Sequence, residues 1–320
     1  KEGEFQPGAF IMHHVMDDYK WHIATVGKTD LTIYLPVILY TEKDGLVVFM
    51  SSAFQGDGHE PMTYKGYILE HGKIKAVDGS TVIDFSITKN VLALFLSLIF
   101  ILWLFISIAK TYKRREGKAP KGIQSLIEPL IIFIRDDVAK ASIGEKKYMK
   151  YLPFLLSVFF FIFINNLIGL IPIFPGGANL TGNIAVTLVL ALFTFLITTF
   201  SGNKAYWMHI VNAPGVPWWL KIPIPLMPVV ELIGVFTKPF VLMVRLFANI
   251  TAGHIISLGF FSLIFIFGEM NVFGGYAISP LSIGFTIFMT VLELLVAFIQ
   301  AYVFTLLSAL YFGMATEEHH

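Results

Sequence analysis

The sequence predicts an all-α membrane protein: one spanning helix, an interfacial helix, a helical hairpin and two long tilted membrane helices, preceded by a small β-containing extramembrane N-terminal domain. Three observations carry this. Of 320 residues, 56% are hydrophobic and only 14% charged, against about 25% charged in an ordinary soluble domain. The charges are uneven: 19 of 45 lie in residues 1–88, 16 between Lys110 and Lys150, and nine after Lys150. From Asn90 onward, bilayer-length apolar runs replace short mixed ones. The boundaries are therefore 1–88 for the extramembrane domain and 89–320 for the membrane domain.

Residues 1–88 contain the β-like runs "LTIYLPVILY", "GLVVFM" and "YKGYILEHGKIKAVDGSTVIDFSI", with turn signals at His71-Gly72 and Asp78-Gly79. The stretch "FIMHHVMDDYKWH" offers His13, His14, Asp17, Asp18 and His22 at helical spacing. No second ligand cluster follows it, so a solvated amphipathic segment is the better reading and no metal is expected. The absence of cysteine excludes disulfides and thiolate chemistry. The start at Lys1 without an apolar leader fits both an exported N-terminus after removal of a secretory peptide and a trimmed chain.

The run Asn90 to Ala109 is uncharged and long enough to span a bilayer as a helix. After it, Lys110 to Lys150 holds eleven basic and five acidic residues, whereas residues 1–88 hold seven and twelve. The positive-inside rule places the N-terminal domain outside and the basic loop in the cytoplasm. Within that loop, "IQSLIEPLIIFIRDDV" is short and flanked by charge, as an interfacial helix would be. Tyr151 to Phe174 then runs outward and Asn183 to Phe200 returns, joined outside by "PIFPGGANLTG". An inner segment follows, with Trp207, Trp218, Trp219 and two lysines suited to a membrane interface.

Two very long apolar runs complete the chain, roughly Met227 to Phe267 and Ile278 to Met314. Each is too long to cross a ~30 Å core upright, and the lack of a basic loop inside either favours steep tilt over a break. The segment "GEMNVFGGYAIS" between them is the expected turn, outside the membrane, which leaves the C-terminus in the cytoplasm.

These two helices carry the polar residues that need explanation. Glu231, Lys238 and Arg245 recur every seven positions, with Asn249 four beyond and then His254; Glu293, Gln300 and Tyr311 are spaced by seven and eleven. Each helix thus has one polar stripe. If Arg245 is level with Gln300 in an antiparallel pair, His254 is level with Glu293 and Glu231 with Tyr311. Arg245 then sits between an outer and an inner polar cluster, about 13 Å of helix from His254 and about 21 Å from Glu231. Helix glue explains Asn249, His254 or Gln300 alone, interface anchoring explains Tyr311, and snorkelling explains Lys238 and Glu231. It does not explain Arg245, because no acidic residue lies within one turn of it and a charge at mid-bilayer costs roughly 3 kcal/mol. An acidic residue of a second subunit is the remaining partner.

The segments "KPFVLMVRLFANITAGH", "IQAYVFTLLSALYFGMATEEH" and "NNLIGLIPIF" resemble subunit a of the F-type ATP synthases over most of residues 90–320. The resemblance implies a non-catalytic, proton-translocating stator subunit of a bacterial inner membrane, without cofactors. Its partners would be the c-ring, the peripheral stalk subunit b, the remaining synthase subunits and lipid; no nucleic acid is expected. Arg245 would face the c-subunit carboxylate and separate two half-channels, the outer with Asn249, His254, Glu293 and Gln300, the inner with Glu231 and Tyr311. A histidine, with an ordinary pKa near 6.5, beside a carboxylate suits proton relay. Two departures stand out. Relatives often carry an acidic residue near Asn179 to Asn183, which "GGANLTGNIAVT" lacks, and the N-terminal domain exceeds the usual outer extension. An ion-coupled secondary transporter or channel with a His254/Glu293 relay is the alternative; the sequence shows no internal repeat in its favour. The chain also lacks the Gly-rich phosphate loop that ATP chemistry would require.

Overall fold

Alternating strands give way to helices at Lys89. The computed structural model describes residues 7–8, 11–12, 16–26, 29–54, 63–70, 72–171, 176–211 and 226–317; His13, His14, His71, Trp218, Trp219 and the 172–175 part of the expected outer loop lie outside them. These residues belong to two compact units. One comprises Lys1–Leu98, Ile168–Leu180 and Ile255–Thr286, the other Ile99–Leu167, Thr181–His254 and Ile287–His320.

In the first unit, β1 (Lys20–Val26) pairs antiparallel with β2 (Thr29–Tyr34). β3 (Pro36–Thr41) pairs with β4 (Gly45–Met50) and β8 (Ile83–Asp84), and β6 (Tyr67–Glu70) lies between β5 (Thr63–Tyr64) and β7 (Lys73–Ala76). The run "LTIYLPVILY" is thus two strands in two sheets. Pro36 cannot donate to a ladder, and at the joint Leu35 instead bonds to the Tyr19 carbonyl while its own carbonyl accepts from Ser51. The β5–β6 turn is Lys65-Gly66, both at positive φ, the geometry that matches strand twist in a two-residue hairpin. Val37 and Leu39, both fully buried, pack with Tyr19, Phe49, Tyr67 and Ile74. The opposite face of the β3 sheet leaves Tyr40, Leu46, Val48, Met50, Ile83 and Phe85 exposed.

The strands are tied to the helix that follows, α1 (Lys89–Arg114). Asp17 accepts from the Asn90 backbone N–H at 3.0 Å and from the Thr88 hydroxyl at 2.8 Å, so a carboxylate from a distant segment caps the positive end of the helix. The Asp18 carbonyl accepts from Lys89 N–H, and the Lys89 ammonium donates to the Met16 carbonyl. Trp21, Ala93 and Ala178 form a second small core. The stretch containing Asp17 and Asp18 therefore serves as an anchor for α1.

The remaining chain is helical: α2 (Ile123–Phe133), continued by a π-helical stretch Ile134–Lys140 and a last turn Ala141–Ile143; α3 (Tyr148–Gly169); α4 (Ile184–Ser201); α5 (Lys204–Val211); α6 (Leu226–Met270); and α7 (Val272–Thr316). The protein is mostly helical with small N-terminal sheets, and five described helices, α1, α3, α4, α6 and α7, are long and apolar enough to cross a membrane. α6 and α7 are 45 residues each and unbroken. The expected twelve-residue turn between them shrinks to Asn271 alone. The glycines of "GEMNVFGGYAIS" are helical, and they bring the backbones together: a Cβ on Gly275 would lie 2.9 Å from the Gly268 Cα. Phe260 and Phe285 stack below, with ring centroids 4.9 Å apart.

In the second unit, α7 is the packing centre. Its Ala297, Ala301, Ala309 and Ala315 are buried, allowing the close approach on which membrane helix association depends. Phe298 meets Phe159 edge to face, Tyr302 packs on Phe133, and Phe312 stacks on Tyr151. Thr194 of α4 and Ser308 share a 3.2 Å hydrogen bond. The carbonyls at the end of α7 accept from Lys147, Asn203 N–H and the Asn203 amide, which satisfies groups that a helix terminus otherwise leaves unpaired.

Replacing Asp17 with alanine should loosen the start of α1 selectively. Losing the cap costs about 1 kcal/mol, so amide hydrogen exchange at Asn90 and Val91 should quicken about fivefold while exchange in α3 stays unchanged. Equal exchange in mutant and wild type would show that Asp17 does not hold the helix.

Candidate functional site

The polar residues of α6 and α7 sit on helices whose packed faces are fixed by apolar neighbours. Leu242, Leu246 and Ile250, spaced four apart, are buried, as is Met243. Arg245 and Asn249 alternate with them, and both are exposed. Among the described residues Arg245 forms no ion pair and no hydrogen bond. Gln300, by contrast, is 6% exposed, between the buried Ala297 and Ala301.

Glu293 packs against α6 at Gly253, the residue before His254. A Cβ at Gly253 would stand 2.9 Å from Glu293 Oε1 and 3.2 Å from its Cγ. The glycine therefore makes room for the carboxylate, and His254 is next to it in sequence. Sequence reasoning passed over Gly253, although a glycine inside a helix costs about 1 kcal/mol relative to alanine and so marks a close approach.

At the other end, Tyr311 meets Lys238, whose ammonium lies 5.6 Å from the ring centroid, within cation–π range. The level rule instead set Tyr311 opposite Glu231, two turns away on α6. Glu231 is near Tyr206 of α5: burial, and after it the negative charge of Glu231, pushes the Tyr206 phenol upward.

The loop before α4 has structural work in place of an acid. Asn183 caps α4, its side chain accepting from Ala185 N–H at 3.0 Å. Thr181 donates to Asn166 Oδ1 at 2.5 Å, and the Asn166 amide donates to the Ala297 carbonyl at 3.3 Å, one turn from Glu293. Thr251 donates to the Gly182 carbonyl at 3.4 Å. Asn166 thereby joins α3, this loop and α7, a link that sequence spacing could not reveal.

The sequence that forms these helices has known relatives. A family model described as "ATP synthase A chain" matches residues 91–313, and one described only as a domain of unknown function matches residues 10–92. The chain belongs to the ATP synthase A chain family. It is 48% identical over 321 residues to "ATP synthase subunit a 2" of Chlorobaculum tepidum, covering 98% of this chain and 75% of the relative. "ATP synthase subunit a" of Chloroherpeton thalassium is 43% identical over 82% of this chain and 76% of its own length. That of an Anaeromyxobacter strain is 35% identical over 98% and 71%. The second match reaches into the N-terminal region, so the large extension that departs from the usual pattern is shared by these ATP synthase relatives.

The native chain has no cysteine, which makes the register directly testable. With cysteines at 238 and 311, a short bifunctional maleimide should link α6 to α7, whereas cysteines at 231 and 311, displaced by about 10 Å of helix, should not link. Mass spectrometry of the digested protein reads the result, and preferential linkage of the second pair would contradict this register.

Proposed function

We propose that this chain is the proton-translocating stator subunit of a rotary ATP synthase, with Arg245 facing the c-ring from within the membrane. One observation carries the reading: Arg245 is exposed on the flank of the packed stripe of a 45-residue apolar helix and forms no ion pair or hydrogen bond with a described residue of its own chain. A guanidinium in that setting requires an anion from elsewhere. A carboxylate carried past α6 by a ring of small subunits meets the requirement, and its charge-assisted attraction to Arg245 holds it while ionised.

The helix lengths support the same geometry. Forty-five residues extend about 68 Å, more than twice a ~30 Å hydrocarbon core, so α6 and α7 must lie steeply tilted. In that pose they present a long surface along which a ring can turn. The subunit b stalk and the other synthase subunits complete the assembly, and the ATP chemistry belongs to those subunits. The basic Lys110–Lys150 segment is assigned to the cytoplasm and the N-terminal domain to the outer side.

The proton path runs through the two polar groups. A proton from outside passes the group of Asn249, His254, Glu293 and Gln300 and binds a c-ring carboxylate. The resulting neutral acid can face lipid, because burying it no longer means burying a charge. After nearly a full turn the acid reaches the inner group near Glu231 and Tyr311, gives up the proton, and meets Arg245 again as a carboxylate. The cation at Arg245 keeps protons from passing directly between the two groups.

Two substitutions separate charge from placement. In membranes containing the assembled complex, Arg245→Ala should lower ATP-driven proton pumping more than about a hundredfold, the scale of losing a buried charge partner, with assembly nearly normal; wild-type pumping would refute the role of Arg245. Gly253→Ala should lower pumping by displacing the Glu293 carboxylate, yet leave thermal stability equal or higher because alanine favours the helix. Exchanging His254 and Glu293 together should restore more pumping than either single change, and a double exchange no better than the singles would show that they are not a couple.

A further inference from the structure

We propose that the junction between α1 and α2 is a binding site for the headgroup of an anionic, hydroxyl-bearing glycerophospholipid. The site is independent of the proton path. The chain reverses after α1 so that Arg114, Arg115 and Lys121 surround a cavity of about 240 Å³. None of the three forms an ion pair with a described residue, and no carboxylate lines the cavity. The uncapped start of α2, preceded by Gly122 without a side-chain hydrogen bond, adds the positive end of a helix dipole. Positive potential from several sources with no internal anion suits a phosphodiester.

Two further features narrow the ligand. Gln124, in the wall, is 5% exposed, and its Oε1 has no hydrogen-bond partner, while its amide nitrogen is directed to Glu128 at 3.4 Å. A buried carbonyl oxygen left without a donor is costly, and the ionised oxygens of a phosphodiester carry no proton to supply one. A headgroup hydroxyl can. The rest of the cavity is lined by Trp103, Leu104, Ser107, Ile108, Thr111 and Ile123; Trp103 and Ile123, 59% and 53% exposed, offer apolar contact to the glycerol ester and the first acyl carbons. A volume of this size suits a headgroup better than a whole lipid or a drug-sized ligand. Free phosphate would leave the apolar wall unused.

Native mass spectrometry of the detergent-purified complex, exchanged into micelles doped with one lipid at a time, tests this. Phosphatidylglycerol should be retained most strongly, phosphatidylmethanol, a phosphodiester without a headgroup hydroxyl, less, and phosphatidylcholine not above background. The triple variant Arg114→Gln, Arg115→Gln, Lys121→Gln should retain at least about tenfold less phosphatidylglycerol. Lys121→Gln alone, in an exposed loop where folding is not at stake, should lose about fivefold. Gln124→Leu should bring phosphatidylglycerol down to the level of phosphatidylmethanol and leave the latter unchanged. Unaltered phosphatidylglycerol retention in both cation variants would overturn the site. Displacement of the lipid by millimolar inorganic phosphate would overturn the lipid reading, and equal binding of the two anionic lipids would overturn the role of Gln124.

Discussion

A guanidinium placed in an apolar helix without a counterion among the described residues is the constraint around which the rest of the membrane region is arranged. Charge at that depth costs roughly 3 kcal/mol or more, so Arg245 can persist only where something outside α6 compensates it. The compensating group needs access, which means that α6 must keep that side free of its own protein. Its packing therefore falls on one narrow stripe, Leu242, Leu246 and Ile250, with Met243 beside it. Without water to drive helix association in lipid, such a stripe holds only through close contact, and Gly253 gives α6 that closeness where it meets Glu293 of α7.

Close packing in turn controls what the nonhelical backbone can do. Irregular chain near the hydrocarbon must satisfy its polar groups internally. Asn166, Thr181 and Asn183 do this for the loop ahead of α4, and Asn203 and Lys147 do it at the end of α7. The missing acid in that loop is thus replaced by amides and hydroxyls whose bonds fix α7 one turn from Glu293. The N-terminal strands follow the same logic on a polar side: Asp17 satisfies the first amides of α1, and Trp21 covers Ala93.

The spans were legible in the sequence because a long uncharged apolar run has few other fates than a membrane helix. Arg245 stood out because an unpaired charge in an apolar run needs no contact map to be noticed. What the sequence hid depends on distant contacts or on residues with two meanings. Gly274 and Gly275 read as a turn but are helical, because the same lack of a side chain that frees a loop also lets two helices touch. Leu35 looked like the middle of one strand until Pro36 ended the ladder and set β2 and β3 in different sheets. Asp17 looked like a ligand or a solvated charge, and its partner Asn90 lies 73 residues away. Gly253 carried a signal in its helix cost, but only the position of Glu293 gives that cost a purpose. The depth rule placed Tyr311 against Glu231, whereas the contact is with Lys238, two turns along, since one assumed pair cannot fix the register over the full length of two 45-residue helices.

The placement of Glu293 also explains why Arg245 stays available. An arginine and a glutamate on two helices of one unit, both in low dielectric, would be expected to pair, and a paired Arg245 could not attract a moving carboxylate. Gly253 draws the Glu293 side chain into contact eight residues from Arg245, about 12 Å along the helix axis. At that separation two unit charges attract by only about 1.4 kcal/mol for an effective dielectric constant near 20, too little to offset the cost of burying either one. Direct contact at 4 Å would bring about 4 kcal/mol on the same scale, enough to lock the two together. The glycine thus does more than admit a side chain. By holding the carboxylate two turns away, it keeps Glu293 from neutralising Arg245, and on the proposed reading this leaves Arg245 to a carboxylate that arrives from another subunit.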